Sequence, residues 1–251
     1  MSGGVGPTCG DISLPKEEDE HEQHTKLTSD NTTKAVHPDT KRRALLSFRQ
    51  LHSLVIIIVL SASGMVGLQD FAFLIFSAAY TFLLSKLVFP ALPSTSPPAP
   101  IFDSRATKLL SIYVRAGAAI GLYLPILYIL TGVFSGDKQG TRSAAPHVFL
   151  LAAQIFMEGI VFSGGFSIPV RVFVPVCYNS MRMFAIVEWL KSEIWKVGVA
   201  DGGSTRRVAA GRGLAVANLV FWGFNLFGFL LPIYLPRAFR RYYSDVFKVK
   251  D

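Results

Sequence analysis

The sequence predicts an all-α, polytopic transmembrane bundle of five to six helices behind a disordered N-terminal tail. Three observations carry that prediction. Hydrophobic residues fill 51% of the 251 positions, charged residues only 17%, and the mean hydropathy is +0.40; soluble domains carry roughly 25% charged residues. The apolar residues, 20 Phe among them, gather in long uncharged runs rather than in one stripe per amphipathic helix. The basic residues sit between those runs, where Lys and Arg flank membrane spans. Together these exclude a disordered chain, a disulfide-stapled secreted domain and a soluble globule.

Charge divides the chain at its first apolar run. Residues 1–40 hold three Lys against eight Asp or Glu, net −5, and the remainder holds 22 Lys or Arg against nine acids, net +13. The tail, taken as residues 1–43, has almost no large apolar side chain to offset its ordering entropy, so disorder is expected there. It lacks the apolar core of a secretory signal and is too acidic for an organellar transit peptide. His21 and His24 stand three apart, not the four that would put both on one helix face for a metal, so no metal site is expected. Cys9 in the tail and Cys177 in an apolar run make no disulfide framework. The basic residues form no single stripe, so a nucleic-acid partner is not expected either.

The first span is read as residues 51–68, centred on LVIIIVL from Leu54 to Leu60. Gln69-Asp70 interrupts the run, and a second span follows over 71–89. One helix across both would measure about 58 Å at helical rise, against a hydrocarbon core of roughly 30 Å. The pair therefore folds as a hairpin, with Gly64 and Gly67 easing the reversal, and Lys86 snorkels near the end. Prolines at 90, 93, 97, 98 and 100 make an exposed connector. The third span, 110–134, carries Gly117 and Gly121 in the GxxxG spacing that admits a close neighbour, and Pro125 bends it.

Ser135–Ala145 reads as a polar turn, and 147–166 as the fourth span. His147, Gln154 and Glu158, at offsets of seven and four, lie along one helical stripe. An acid inside a span is costly unless paired or facing water, which makes Glu158 a functional residue or a structural partner; the sequence allows both. The segment 168–190, running on to residue 197, is ambiguous. Arg171, Asn179, Arg182, Glu193 and Lys196 share a face opposite an apolar one, as in an interfacial helix or in a fifth span whose polar face meets Glu158. In the second case Arg171 or Arg182 is the partner of that acid. Asp201–Gly213 reads as a Gly-rich loop. The last span, 214–235, offers Asn218 and Asn225 for interhelical hydrogen bonds with Trp222 between them. Pro232 and Pro236 are expected to close it, leaving a basic, aromatic tail over 237–251.

The run Ile168-Pro169-Val170-Arg171-Val172-Phe173-Val174-Pro175, then Tyr178 to Arg182, and the end Leu231 to Arg237 resemble a plant family of uncharacterised multi-pass membrane proteins. The likeness covers roughly residues 45–245. It implies a plant origin and an integral-membrane fold, and it brings no catalytic or binding residue.

No enzyme signature is present. Gly136–Arg142 lacks the Gly-Lys-Ser/Thr ending of a phosphate loop, and there is no nucleophile elbow and no zinc-spaced Cys/His set. No cofactor is expected. Two functions remain: a non-catalytic membrane protein that organises partners, and a transporter or channel with Glu158 in a polar site beside Arg171, Arg182, Asn218 and Asn225. Expected partners are the lipid bilayer and other membrane proteins or further copies of the chain. The charge distribution expects a cytoplasmic N-terminus, in the endomembrane system or the plasma membrane.

Overall fold

The computed structural model describes residues 47–92, 104–196 and 202–250. These form six helices, with no strand among the described residues. Helix α1 is Phe48–Ala62. Helix α2 is Leu68–Val88, its last five residues π-helical. Helix α3 runs from Ser104–Ala118 through a π-helical Ala119–Tyr123 into Leu124–Ser135. Helices α4 and α5 are Lys138–Ser163 and Ile168–Trp195. Helix α6 comprises Gly202–Gly223, a π-helical Phe224–Tyr234 and Leu235–Lys250. The tail and most of the proline-rich connector lie outside the described residues.

Five helices are long and apolar enough to cross a membrane; α1, with 15 residues, is shorter. At helical rise it covers about 22 Å. The expected first span to residue 68 is corrected here, because the chain leaves the helix at Ser63 and reverses through Gly64 in the left-handed region, φ 67°. A side chain at that φ is strained, and glycine is not. The new helix is capped by Asp70, whose carboxylate accepts from the Gly67 N–H at 3.1 Å.

Three further sequence expectations fall for related reasons. Ser135–Ala145 is not a turn: only Gly136 and Asp137 break the chain, and Asp137 caps α4 by accepting from the Gly140 N–H at 2.9 Å. The Gly-rich loop is helical from Gly202 onwards. Pro232 and Pro236 do not close the last helix, which continues to Lys250. Pro232 sits inside the π-helical stretch, where the altered hydrogen-bond register absorbs its missing N–H, and Pro236 falls where the α-helix resumes.

Helix α4 is the centre. Within its most apolar window 61% of the residues are buried, against 11% for the peripheral α2. It packs on α1, α2, α3 and α5, and α5 packs on α6. The polar face of α5 turns inward, burying Asn179, Arg182 and Glu193, while Phe184 and Trp195 face out. The polar face of α5 thus lies within the bundle, and the helix is long and apolar enough to cross a membrane. Outward apolar side chains such as Leu68, Phe76, Phe134 and Val220 would be an aggregation hazard in water and are the ordinary surface of a bundle in lipid.

Four inward seams have heptad spacing, alternating steps of three and four. They are Gly121, Pro125, Tyr128 and Gly132 on α3; His147, Leu151, Gln154 and Glu158 on α4; Asn179, Arg182, Ile186, Trp189 and Glu193 on α5; and Gly211, Ala215, Asn218, Trp222 and Asn225 on α6. Only Glu158 among these is not buried. The seams bring the polar side chains of distant segments onto one axis.

Candidate functional site

Arg182 is the middle of that axis. Its side chain is fully buried, with Nη1 donating to Gln154 Oε1 at 2.9 Å and Nη2 to Asn179 Oδ1 at 2.8 Å. The guanidinium carbon lies 3.8 Å from the centre of the Trp222 ring, whose π-face attracts the cation. Gln154 passes the chain on, its Nε2 donating to Glu158 Oε1 at 2.7 Å. Glu158 therefore meets the arginine through an amide, not in the direct ion pair considered from the sequence. The Arg49 charge also acts on this carboxylate. Arg171 stays apart. Its Nε donates to the Phe166 carbonyl at 2.9 Å, and its guanidinium lies over the Phe162 ring.

On the other side of Arg182 the amides knit backbone. Asn179 Nδ2 donates to the Trp222 carbonyl at 3.1 Å, two residues ahead of the π-helical stretch of α6. Trp222 Nε1 donates to Asn218 Oδ1 at 3.1 Å, and Asn218 Nδ2 donates to the carbonyls of Ile120 at 3.0 Å and Leu214 at 2.9 Å. His147 Nε2 lies 2.9 Å from the Gly121 carbonyl. Asn225 joins a different partner, accepting from the Tyr113 hydroxyl at 3.1 Å. Gly117 and Gly121 face aromatic rings of α6: an added Cβ would come within 3.0 Å of Phe221 at the first and 2.6 Å of Trp222 at the second. These glycines admit side chains, and Gly121 is the seat of the ring that covers Arg182.

A second cluster, which the sequence reading did not find, ties one end of the bundle. Asp137 Oδ2 receives Arg207 Nε at 2.8 Å and Lys196 Nζ at 3.1 Å. Lys196 also pairs with Glu193 Oε1 at 2.9 Å, and the Tyr128 hydroxyl donates to the same oxygen at 2.7 Å. Arg207 lies 4.3 Å from the Tyr128 ring centre and donates to that residue's carbonyl at 3.0 Å. Arg212 caps α5 by donating to the carbonyls of Glu193 and Ile194. Burial pulls the Asp137 carboxyl upward, but the Gly140 N–H, Arg207 and Lys196 outweigh it and hold the group below its ordinary value of 3.8. The one available signal was Asp137 itself, an N-cap residue at the mouth of an apolar helix. Two acids and two bases balance, so the cluster is a clamp for helix ends.

Among the described residues no three His, Cys, Asp or Glu side chains gather as a metal would need.

A family model described as a domain of unknown function, DUF7733, matches residues 46–243. The chain belongs to that family. No curated protein and no solved structure matches it. The DUF7733 domain thus contains all four seams, the arginine network and the helix-end clamp, and it is uncharacterised, as the resemblance over 45–245 implied.

Proposed function

We propose that this DUF7733 protein is a non-catalytic multi-pass membrane protein that organises other membrane components, in a plant endomembrane or plasma membrane with its N-terminus in the cytoplasm. The observation that carries the reading is that Arg182 joins three helices: its terminal nitrogens donate to Gln154 and Asn179, and its guanidinium lies over the Trp222 ring. Groups so committed hold helices in register, and a translocated solute would have to displace them. The clamp of Asp137, Glu193, Lys196 and Arg207 has the same character at the bundle end.

The test is reconstitution of the purified protein in liposomes beside Glu158→Gln. The organising reading expects ion and solute flux no greater than in protein-free vesicles. It also expects a lower melting temperature for the variant, because the buried Arg182 loses its nearest negative charge. Flux above background that changes in the variant while its melting temperature stays put would replace this reading with a transporter.

A further inference from the structure

On α3, Lys108, Ile112, Arg115 and Ala119 are all exposed and follow one another at steps of four, three and four residues, so they share one outward stripe. Arg115 is the unexpected member. It lies inside Lys108–Ser135, the part of α3 that is long and apolar enough to cross a membrane. Its Nε donates to the Ser111 carbonyl one turn back at 3.3 Å, and no acid pairs with its guanidinium among the described residues.

The packing of α3 on α6 fixes the level of that charge. The Tyr113 hydroxyl donates to Asn225 Oδ1 at 3.1 Å, and Gly117 faces the Phe221 ring. Arg115, midway between Tyr113 and Gly117, is therefore level with residues 221–225 of α6. From Gly213 to Pro236 that helix carries no charged side chain. The arginines that flank this run lie about 15–20 Å of helix away on either side. The stem of Arg115 is too short to lift its head to either level, as an arginine near a helix end can. At the same height α6 turns Val220 and Phe224 outward, and α3 turns Ile112 and Val114 outward. A guanidinium on such an apolar outer surface is costly within a span unless an opposite charge covers it.

We propose that this face of α3 is an interface for the transmembrane helix of another membrane protein, one that carries an aspartate or glutamate within its span to pair with Arg115. A carboxylate fits the planar guanidinium with two parallel hydrogen bonds. A second copy of this chain has no spare carboxylate among its described residues. Asp70, Asp137, Glu158 and Glu193 are bonded inside the bundle, Glu188 pairs with Lys191, and Asp245 faces Arg241. The inference rests on the organising reading and names its partner. Flux above background would sink that reading, whereas the interface can fail with flux at background.

The full-length protein in liposomes is mixed with labelled single-span polyleucine peptides that carry Asp, Lys or no polar residue at mid-span, and association is read by resonance energy transfer. The Asp peptide is expected to associate about fivefold more strongly than the all-Leu peptide. Arg115→Leu removes that preference, Arg115→Lys keeps it, and Arg115→Glu transfers it to the Lys peptide. Arg142→Gln, which removes an exposed cation of α4, changes nothing. Without peptide, Arg115→Leu should melt no lower than the parent protein, because the charge serves a partner and not its own bundle. Equal association of the Asp and all-Leu peptides with the parent protein overturns the proposal and leaves the charge to a lipid phosphate. A preference that survives in Arg115→Leu overturns it too, as does a lower melting temperature of that variant alone, or a dimer of the parent protein that the variant dissociates.

Discussion

The imidazole Nε2 of His147 lies 2.9 Å from the carbonyl oxygen of Gly121, the group that Pro125 deprives of its helical donor. A proline cannot bond the carbonyl four residues back, and here that carbonyl belongs to Gly121. In lipid no water is at hand to replace the bond, so a neighbouring helix must do it. Asn218 does the same for the adjacent Ile120 carbonyl at 3.0 Å. The π-helical turn of α3 and the polar side chains of α4 and α6 are thus parts of one arrangement. Its consequence is that His147→Leu should cost about 1–3 kcal/mol by stranding a buried carbonyl. Pro125→Ala, by restoring an N–H, should make the second substitution cheaper. Denaturant unfolding in detergent of the two single variants and the double variant measures the coupling. Strictly additive losses would show that Pro125 and His147 are not linked.

Arg182 should respond asymmetrically to loss of its partners. Gln154→Leu removes an acceptor from a buried cation and is expected to cost about 1.5–3 kcal/mol. Arg182→Met paired with Gln154→Leu removes both groups and should cost less than the two single losses summed, since a buried ionic group replaced whole by apolar atoms is often tolerated. Equal or greater loss in the double variant would assign the stability to something other than this contact.

The seams explain what could be read in the sequence. The stripe His147, Gln154 and Glu158 needs only helical spacing, and spacing is visible in one dimension. So are the apolar runs, and so is the reversal at Gly64. Pro232 and Pro236 mislead as helix ends, which prolines mark where water competes for the chain. In the bundle Pro232 is carried inside a π-helical stretch. The helix-end clamp was invisible for a different reason: its members come from four helices, with Tyr128 and Arg207 79 residues apart. No local pattern connects them. The choice of Arg182 over Arg171 likewise depended on which side of α5 faces α4 and α6.

Gly121 should tolerate no side chain. A Cβ would stand 2.6 Å from the Trp222 ring, and moving that ring uncovers Arg182. Gly121→Ala is expected to lower stability by about 1–3 kcal/mol, the range for overpacking a close-packed core. Gly213→Ala, with open space around its Cβ, is the control and should be neutral or slightly stabilising, as alanine is the better helix former. Thermal melts of the two variants decide it, and equal melting would mean the Trp222 ring is free to move.

Asp137 gives the bundle end a pH dependence with a definite sign. Its carboxyl is held below 3.8 in the folded protein, because the Gly140 N–H, Arg207 and Lys196 outweigh the upward pull of burial. A group whose folded value is lowered takes up protons more readily when the chain unfolds, so its contribution is complete above the ordinary value. That contribution fades as pH falls through the folded one. Melting temperature should therefore be level from pH 7 to about 5 and fall below about 4, where the unfolded carboxyl protonates first. Asp137→Asn keeps an acceptor for the Gly140 N–H but loses both cation contacts, Lys196 at 3.1 Å and Arg207 at 2.8 Å. It should cost about 1.5–3 kcal/mol at neutral pH, the range for hydrogen bonds to charged groups. The gap between parent and variant should then narrow as the acid takes up its proton. Melts of both proteins at pH 7, 5, 4 and 3 read the gap directly. A difference that stays constant across that series would mean the carboxylate's charge does not hold α3, α4, α5 and α6 together at this end.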